Sequence, residues 1–266
     1  MAGAASEHAA LIERFRRARS DPARVVLEGF HALKHAIRFG AAIEHACAAD
    51  PDGLDALARE LAPDVAPQLR ALAMPVPAAI FARLAPAPVE TGVIAIARRP
   101  EVDVQAALEA PRAAPVVLLE APARLGNIGA VVRVAAAAGA AAVLTTGTHD
   151  PWHPAALRGS AGLHFALPVA RIETVPPASA RPLWAIDPKG EPVRPGKIPD
   201  GALLAFGSER RGLSEALLAA AERRIAIPMR AGVSSLNLAS AVAVILYLWR
   251  LGAVKEPARQ LRRAPG

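Results

Sequence analysis

The stretch that decides the fold runs from Arg224 to Arg250 and reads RIAIPMRAGVSSLNLASAVAVILYLWR. It predicts a short strand, a polar loop and a long apolar helix in direct succession. From Leu238 to Trp249 the only polar side chains are Ser240 and Tyr247. A helix without a polar face is buried, so we expect this one to lie in a core or in a subunit interface.

Three polar residues, Ser234, Ser235 and Asn237, stand just before this helix. One interpretation is helix capping, because Ser and Asn side chains accept hydrogen bonds from the free amides at a helix start. The other is a ligand-binding loop. The loop alone does not distinguish the two.

Length and composition indicate a soluble globular protein with one large or two ordinary domains. The chain has 266 residues, 53% of them hydrophobic but only 4% aromatic, which favours helices of small residues. Its longest apolar runs fall short of the roughly 20 residues that cross a bilayer. The early charges do not form a secretory signal, and the single cysteine, Cys47, forms no intramolecular disulfide. We therefore expect a cytoplasmic protein that is not bound to a membrane.

The formal net charge is +7, which makes polyanions plausible partners. Basic residues cluster near the start of the chain, where they would either attract phosphates or form an ordinary solvated surface. The members of this cluster are Arg14, Arg16, Arg17, Arg19, Arg24, Lys34 and Arg38.

Strands and helices alternate along the chain, which predicts an α/β fold. Residues 1–105 form a small α/β domain, residues 106–114 a linker, and residues 115–266 a domain whose parallel sheet is covered on both faces. The predicted strands of the second domain are Val116 to Leu119, Ala141 to Thr145, Leu183 to Ile186, Ala202 to Phe206 and Arg224 to Ile227. Its predicted helices are Ile128 to Ala138, Pro154 to Ala161, Ser214 to Ala221 and Leu238 to Trp249, followed by a basic tail from Lys255 to Arg263.

Arg133 lies in an almost wholly apolar helix, and it is the only charged residue between Arg124 and His149. A buried guanidinium needs a carboxylate partner or a ligand, whereas an arginine at the rim extends its head into water. Asn127 comes directly before the predicted helix, next to Gly126 and Gly129, as Asn237 does before the last helix.

A second candidate loop reads Phe206-Gly-Ser-Glu-Arg-Arg-Gly-Leu213 and leaves a strand to enter a helix. Ligands collect at the carboxyl ends of parallel strands. Glu209 is the expected partner of a buried Arg133, although a glutamate in a first helical turn is also favoured by the helix dipole. The chain contains no G-x-G-x-x-G turn, P-loop or cluster of metal ligands, so we predict no metal site.

Three segments together carry a specific resemblance. Gly126-Asn-Ile-Gly-Ala-Val-Val-Arg133, Phe206 to Leu213, and Ile227-Pro-Met229 with Ser234-Ser-Leu-Asn237 resemble, in order, the motifs of the SpoU (SPOUT class) RNA ribose 2′-O-methyltransferases. The segment Leu157-Arg158-Gly159-Ser160 is similar to one in ribosomal-RNA methyltransferases of the thiostrepton-resistance type. One departure is Ala123-Arg124-Leu125-Gly126, where many members carry an acidic residue and proline.

The resemblance implies a sheet with a deep trefoil knot, a homodimer, and S-adenosylmethionine as cofactor. It implies cofactor contacts at Gly207, Ile227, Met229 and Leu236, with Trp184 and Thr145 close by. It further implies that the first domain binds RNA, ribosomal RNA before transfer RNA, through Arg16, Arg17 and Lys34, with Arg158 gripping a phosphate.

The same resemblance suggests catalytic roles. Arg133 is expected at the 2′-hydroxyl or its adjacent phosphate, held by Glu209 and Asn127. Ser235 and Asn237 are expected to hold the loop and to orient RNA or cofactor. Because an arginine side chain keeps its proton at neutral pH, we favour electrostatic stabilisation by Arg133 over proton abstraction. The alternatives are a non-catalytic RNA-binding assembly factor and a methyltransferase acting on protein or a small molecule.

Overall fold

The computed structural model describes residues 2–109, 114–174 and 181–253. Its first part contains a four-stranded sheet in the order β1-β4-β2-β3, in which β4 is antiparallel to both of its neighbours. The elements are α1 (Ala2–Ala18), β1 (Arg24–Glu28), α2 (Phe30–Arg38), β2 (Ile43–Ala48), α3 (Pro51–Leu61), α4 (Ala66–Leu72), β3 (Ala73–Pro75), α5 (Ala78–Phe81) and β4 (Val93–Arg98).

The second part contains a six-stranded sheet in the order β10-β8-β9-β5-β6-β7, and every pairing in it is parallel. The elements are α6 (Val104–Glu109), β5 (Val116–Leu119), α7 (Leu125–Ala138), β6 (Ala142–Thr145), α8 (Pro154–Ser160), the 3₁₀ turn η1 (Leu163–Ala166), β7 (Val169–Arg171), β8 (Leu183–Pro192), β9 (Leu203–Phe206), α9 (Glu215–Ala220), β10 (Arg223–Ala226) and α10 (Leu238–Ala253).

The parallel sheet predicted from the sequence is confirmed. All four residues of β5, of β6 and of β9 are buried. Because successive strand residues face opposite sides of a sheet, complete burial means that both faces are covered.

Several elements were absent from the sequence prediction: α4, β3, η1 and β7. The proposed linker at 106–114 is helical over part of its length, because α6 extends to Glu109 and buries Ala107 and Leu108. The predicted basic tail from Lys255 to Arg263 lies outside the described residues.

The two sheets belong to one continuous apolar core, since a single cluster of buried side chains includes Leu27 and Leu33 of the first part and Leu118 and Val131 of the second. The chain after α8 reinforces this contact. A Cβ atom on Gly162 would lie 2.4 Å from the carbonyl oxygen of Ala32, so only glycine permits this approach. The two parts are therefore packed closely against each other.

Glycines also bring α7 and α8 together. A Cβ atom on Gly129 would lie 2.1 Å from the carbonyl oxygen of Ala156, and one on Gly159 would lie 3.3 Å from the Cα atom of Gly129. Gly126, by contrast, faces open space. Gly129, which the sequence had placed beside a ligand motif, is thus a helix-packing residue.

The last helix, α10, is buried along one side only. Val242, Ile245 and Leu246 are fully buried, whereas Tyr247 is 40% exposed and Leu251 is 68% exposed. The predicted burial of this helix in the core is confirmed for one of its sides. Burial of the opposite side between subunits stays a prediction. None of the helices in the described ranges combines the length and the apolar character needed to cross a membrane.

His164 is enclosed in the second part. Its Nε2 atom donates to the carbonyl oxygen of Pro151 at 2.8 Å, and its Nδ1 atom lies 2.7 Å from Ser160 Oγ. Burial lowers the pKa of His164 to about 4, although the Pro151 carbonyl and Asp150 act in the opposite direction. The ring is therefore neutral at physiological pH and serves as a donor and acceptor in the core.

We predict that Gly129→Ala destabilises the fold by about 1–3 kcal/mol, because the new methyl group meets a backbone oxygen that cannot move alone. Gly126→Ala is the matched control in the same helix and should be neutral or slightly stabilising. Urea unfolding followed by circular dichroism measures both. Equal stabilities for the two variants would contradict the close packing of α7 on α8.

We also predict that His164 makes stability fall as the pH is lowered. Above pH 6.5 the histidine is neutral in both states and contributes nothing to the pH dependence. Between pH 6.5 and 4 only the unfolded state gains the proton, so stability falls, by about 2 kcal/mol between pH 7 and pH 5. His164→Gln keeps a donor and an acceptor but does not titrate, and the difference between its unfolding curves and those of the wild type at the two pH values isolates this histidine. Parallel pH profiles would contradict the assignment.

Candidate active site

A cleft of about 580 Å³ opens at the carboxyl ends of β9 and β10. Its walls are residues 186–189, residues 206–213 and parts of the stretch 224–241. Parallel strands place their following loops at one edge of the sheet, which explains why segments distant in sequence meet here.

The loop after β9 folds back on itself to form one wall. Ser208 and Gly212 exchange backbone hydrogen bonds of 3.1 and 3.0 Å. A Cβ atom on Gly207 would lie 2.0 Å from the carbonyl carbon of Gly212, so the loop closes only with glycine at position 207. Its backbone consequently lines the cleft directly.

The Glu209 carboxylate joins three segments of the chain. It accepts a hydrogen bond of 2.8 Å from the backbone amide of Ala123 and one of 2.6 Å from Asn127 Nδ2. Asn127 Oδ1 in turn accepts from Asn237 Nδ2 at 3.2 Å. Each of the three motifs singled out in the sequence thus supplies one member of a single relay, Glu209–Asn127–Asn237.

Asn237 also caps α10, because its Oδ1 atom accepts from the Ala239 amide at 2.9 Å. The capping interpretation is therefore confirmed for Asn237, and the ligand-binding loop stays a prediction. Asn127, however, is not a cap. Helix α7 begins at Leu125 with Arg124 as its N-cap residue, so Asn127 lies in the first turn and its side chain is available to Glu209.

Burial by itself would raise the pKa of Glu209. The hydrogen bonds from Ala123 and Asn127 and the charge of Arg124 outweigh burial and lower the pKa overall. Glu209 is therefore ionised at neutral pH, and both of its oxygens accept hydrogen bonds from the protein. These engagements make it a positioning group rather than a general base.

A second carboxylate, which sequence reasoning missed, ties the same two loops together. Glu120, directly after β5, accepts a hydrogen bond of 2.7 Å from the backbone amide of Ser214. Ser214 is the N-cap residue of α9. Each of the loops after β5 and β9 thus supplies a carboxylate that accepts a hydrogen bond from a backbone amide of the other. The position of Glu120 directly after a predicted strand was the signal available in the sequence.

Asp187 and Arg224 form another contact at the wall of the cleft, with 2.5 Å between Asp187 Oδ2 and Arg224 Nη2. Burial would raise the pKa of Asp187, but the hydrogen bonds from Arg224 and the Lys189 amide lower it overall. The sequence prediction assigned no role to this pair, which adds two charged side chains to the wall of the cleft.

The predicted environment of Arg133 is wrong. Its side chain is exposed, and among the described residues it makes neither a hydrogen bond nor an ion pair. Glu209 is bound to Asn127 instead. Arg133 follows Asn127 by six positions in the helix, which places the two side chains about 120° apart around α7. Arg133 therefore needs no buried partner, and it does not line the cleft.

Of the six predicted cofactor contacts, Gly207, Ile227, Met229 and Leu236 line the cleft, as does the predicted catalytic residue Ser235. Thr145 and Trp184 do not. Both are buried, and Thr145 Oγ1 and Trp184 Nε1 have no hydrogen-bond partner within the described part of the chain. The Arg223 guanidinium stacks 5.6 Å from the Trp184 ring, outside this cleft.

All three predicted RNA-binding arginines form ion pairs. Arg16 and Arg17 share Glu13 at 2.7 and 2.8 Å. Arg158 lies 2.6 Å from Glu28, across the boundary between the two parts of the molecule. Arg158 therefore joins the two parts, and its expected contact with a phosphate stays a prediction.

Lys34 differs from these arginines. Its Nζ atom lies 5.5 Å from the centre of the Phe30 ring, and it makes no ion pair with a described residue.

As for metals, no group of three or more His, Cys, Asp or Glu side chains in the described ranges is arranged to hold an ion.

Comparison with known proteins places this geometry in a family. The model of the SpoU rRNA Methylase family matches residues 114–247. An uncharacterized tRNA/rRNA methyltransferase of Synechocystis is 30% identical over 87% of this chain and 85% of its own length. The 23S rRNA (guanosine-2′-O)-methyltransferase RlmP of Bacillus subtilis is 30% identical over 50% of this chain, and the match spans 56% of that enzyme.

Two solved structures share the architecture. An RNA 2′-O ribose methyltransferase is 31% identical, with a TM-score of 0.69 over 92% of this chain and 94% of that one. The SpoU methyltransferase AviRb of Streptomyces viridochromogenes is 23% identical, with a TM-score of 0.72 over 91% and 98% of the two chains, and it is informative about the fold alone. The match over residues 114–247 and the Synechocystis relative show that this chain belongs to the SpoU rRNA methylase family.

Proposed function

We propose that the protein transfers a methyl group from S-adenosylmethionine to a ribose 2′-hydroxyl of structured RNA, with ribosomal RNA favoured over transfer RNA. The observation that carries this proposal is the Glu209–Asn127–Asn237 relay, which joins all three motifs of the family through Glu209, a residue of the cleft wall. Relatives named as 2′-O-methyltransferases of 23S rRNA and of tRNA support the reaction and the order of substrates. The intact relay and a preformed cleft favour an enzyme over an RNA-binding assembly factor.

The cleft fits the cofactor. Its volume of about 580 Å³ lies within the usual range for small-molecule sites. Gly207, Ile227, Met229 and Leu236 would hold the cofactor, and the missing side chain at Gly207 allows the loop to close on the backbone of Gly212. When bound, the cofactor supplies an electrophilic methyl group on a sulfonium centre.

The protein's own contribution is to place and polarise the ribose hydroxyl. Glu209 is fully engaged, and arginine does not release its proton at neutral pH. The residues of the site therefore offer positioning and charge rather than a general base. The hydroxyl proton leaves through water or a phosphate, and Arg133 stabilises the developing alkoxide as a cation on the RNA side of α7.

Three further features belong to the proposal. The trefoil knot is supported by the close crossing of β8 and β10, where a Cβ atom on Gly190 would lie 2.6 Å from the backbone of Arg224. The homodimer is supported by the exposed apolar residues Val244, Tyr247 and Leu251 on α10. Independence from metal and a cytoplasmic location stay predictions from the sequence.

We predict that the full-length protein methylates unmodified ribosomal RNA at a ribose. The assay uses methyl-labelled S-adenosylmethionine and separate ribosomal and transfer RNA, followed by nucleoside analysis. Gly207→Ala should abolish the activity because its methyl group displaces the loop. Gly201→Ala is the matched control, because a Cβ atom there meets nothing within 4 Å. A label on a base, or its absence from both RNAs, would exclude the proposed reaction.

We predict that Arg133→Ala lowers single-turnover methylation at saturating RNA by about 10²- to 10³-fold, the usual effect of removing one charge-stabilising donor. Cofactor affinity, measured by calorimetry, should stay within about twofold because Arg133 lies outside the cleft lining. Arg133→Lys keeps the charge but lacks the planar donor fork, so it should restore RNA affinity without restoring the rate. A near-normal rate in Arg133→Ala would remove this residue from the reaction.

A further inference from the structure

Three basic side chains from two domains lie at the domain boundary, where the charge of Arg133 of α7 acts on His31 and Lys34 of α2. We call these three residues the junction patch. The two α2 members lie 99 or more positions before Arg133 in the sequence. Tertiary packing alone therefore brings the two helices together here.

The end of α8 fixes the relative position of the two helices. On one side Gly159 packs against Gly129 of α7, one helical turn before Arg133. On the other side Gly162 packs against the backbone of Ala32 in α2, the neighbour of His31. His35 Nδ1 further lies 2.7 Å from the carbonyl oxygen of Ala161. The patch is therefore built across a rigid contact.

Phe30 organises the α2 side of the patch. Lys34 Nζ lies 5.5 Å from the centre of the Phe30 ring, and the His31 ring meets the same ring edge-on with 5.5 Å between centroids. Phe30 itself is fully buried. Its fixed ring limits the freedom of both side chains before any ligand arrives.

The charges of the patch are not balanced by nearby carboxylates. Burial is the main cause of the lowered pKa of His31, and Lys34 and Arg133 lower it further. The pKa of Lys34 is lowered by burial first, then by Arg38 and Arg133, with only Asp64 opposing. Asp64 is itself bound by Arg38 through two hydrogen bonds of 2.7 and 2.6 Å. An anion placed here would relieve like-charge repulsion.

Most of the basic residues clustered near the start of the chain already have a partner. Six of the seven members of this cluster contact a carboxylate or His45, and the exception is Lys34. The engaged residues are Arg14, Arg16, Arg17, Arg19, Arg24 and Arg38. Within this cluster, Lys34 is therefore the cation that is available to a phosphate without first leaving a partner.

We propose that the junction patch binds a backbone phosphate of the RNA, so that both domains hold the same strand; this rests on the proposed function. Arg133 offers a planar fork, Lys34 a point charge, and His31 a ring N–H group. Contacts of this kind give affinity and orientation but read no sequence. The patch therefore positions the RNA, and the choice of nucleotide depends on other residues.

The test compares Lys34→Gln with Arg17→Gln in the full-length protein. Each substitution removes one positive charge from the first domain, but Arg17 is paired with Glu13. The probe is an unmodified 23S rRNA transcript, and binding is measured by filter retention between 50 and 300 mM salt. Lys34→Gln should weaken binding about tenfold and reduce the slope of log K against log salt by about 0.9. Arg17→Gln should stay within about twofold of the wild type.

Steady-state methylation separates this role from a structural one. Lys34→Gln and His31→Gln should raise the KM for RNA with little change in kcat, while calorimetric cofactor affinity stays the same. Equal RNA binding by Lys34→Gln and Arg17→Gln, or an unchanged salt slope in Lys34→Gln, would contradict phosphate binding by the junction patch. RNA binding by a wild type that transfers no methyl group would overturn the enzymatic proposal instead, so the two failures are distinguishable.

Discussion

The geometry of the candidate site depends on one carboxylate. Glu209 accepts hydrogen bonds from the Ala123 amide and from Asn127, and Asn127 continues to Asn237. Hydrogen bonds to a charged acceptor contribute about 1.5–3 kcal/mol each. Three loops that would otherwise move independently are thereby held at one edge of the sheet. Glu120 adds a second tie between two of them through the Ser214 amide.

The same constraint shapes the wall of the cleft that the β9 loop forms. Carboxylate contacts hold this loop at both of its ends, and the absence of a Cβ atom at Gly207 lets the backbone of Gly212 approach within the loop. Glu209 thus lines the cleft and also sets the position of the loops around it.

The sequence predicted the parts of this arrangement that depend on local pattern. Strand alternation predicted the parallel sheet, and the family resemblance implied that Asn127, Glu209 and Asn237 belong to one site. It failed on the partner of Glu209, because apolar neighbours in the sequence suggested a buried Arg133. Helical rotation instead turns Arg133 outward, and that depends on which face of α7 packs against the core.

Charge pairing shows the same division between local and tertiary information. Arg16 and Arg17 stand three and four residues after Glu13, a spacing that permits ion pairs on one helix face and was visible in the sequence. The pairing of Arg158 with Glu28 joins residues 130 positions apart and could be seen only in the fold.

Gly129 also carried a signal that the sequence prediction did not use, since glycine in a helix interior costs roughly 1 kcal/mol of stability relative to alanine. Its presence there indicates a close contact that a methyl group would prevent.

Close contacts through glycine give the two domains their fixed relation. Gly159 and Gly162 lie on either side of the α8 terminus, one against α7 and the other against α2. Because backbone meets backbone at both points, neither helix can shift without moving α8. Arg158, on the same short helix, is held by Glu28 of β1. A cation on α7 and one on α2 therefore keep a constant separation, which is the condition for both to contact a single RNA strand while the loops at the cleft hold their own geometry.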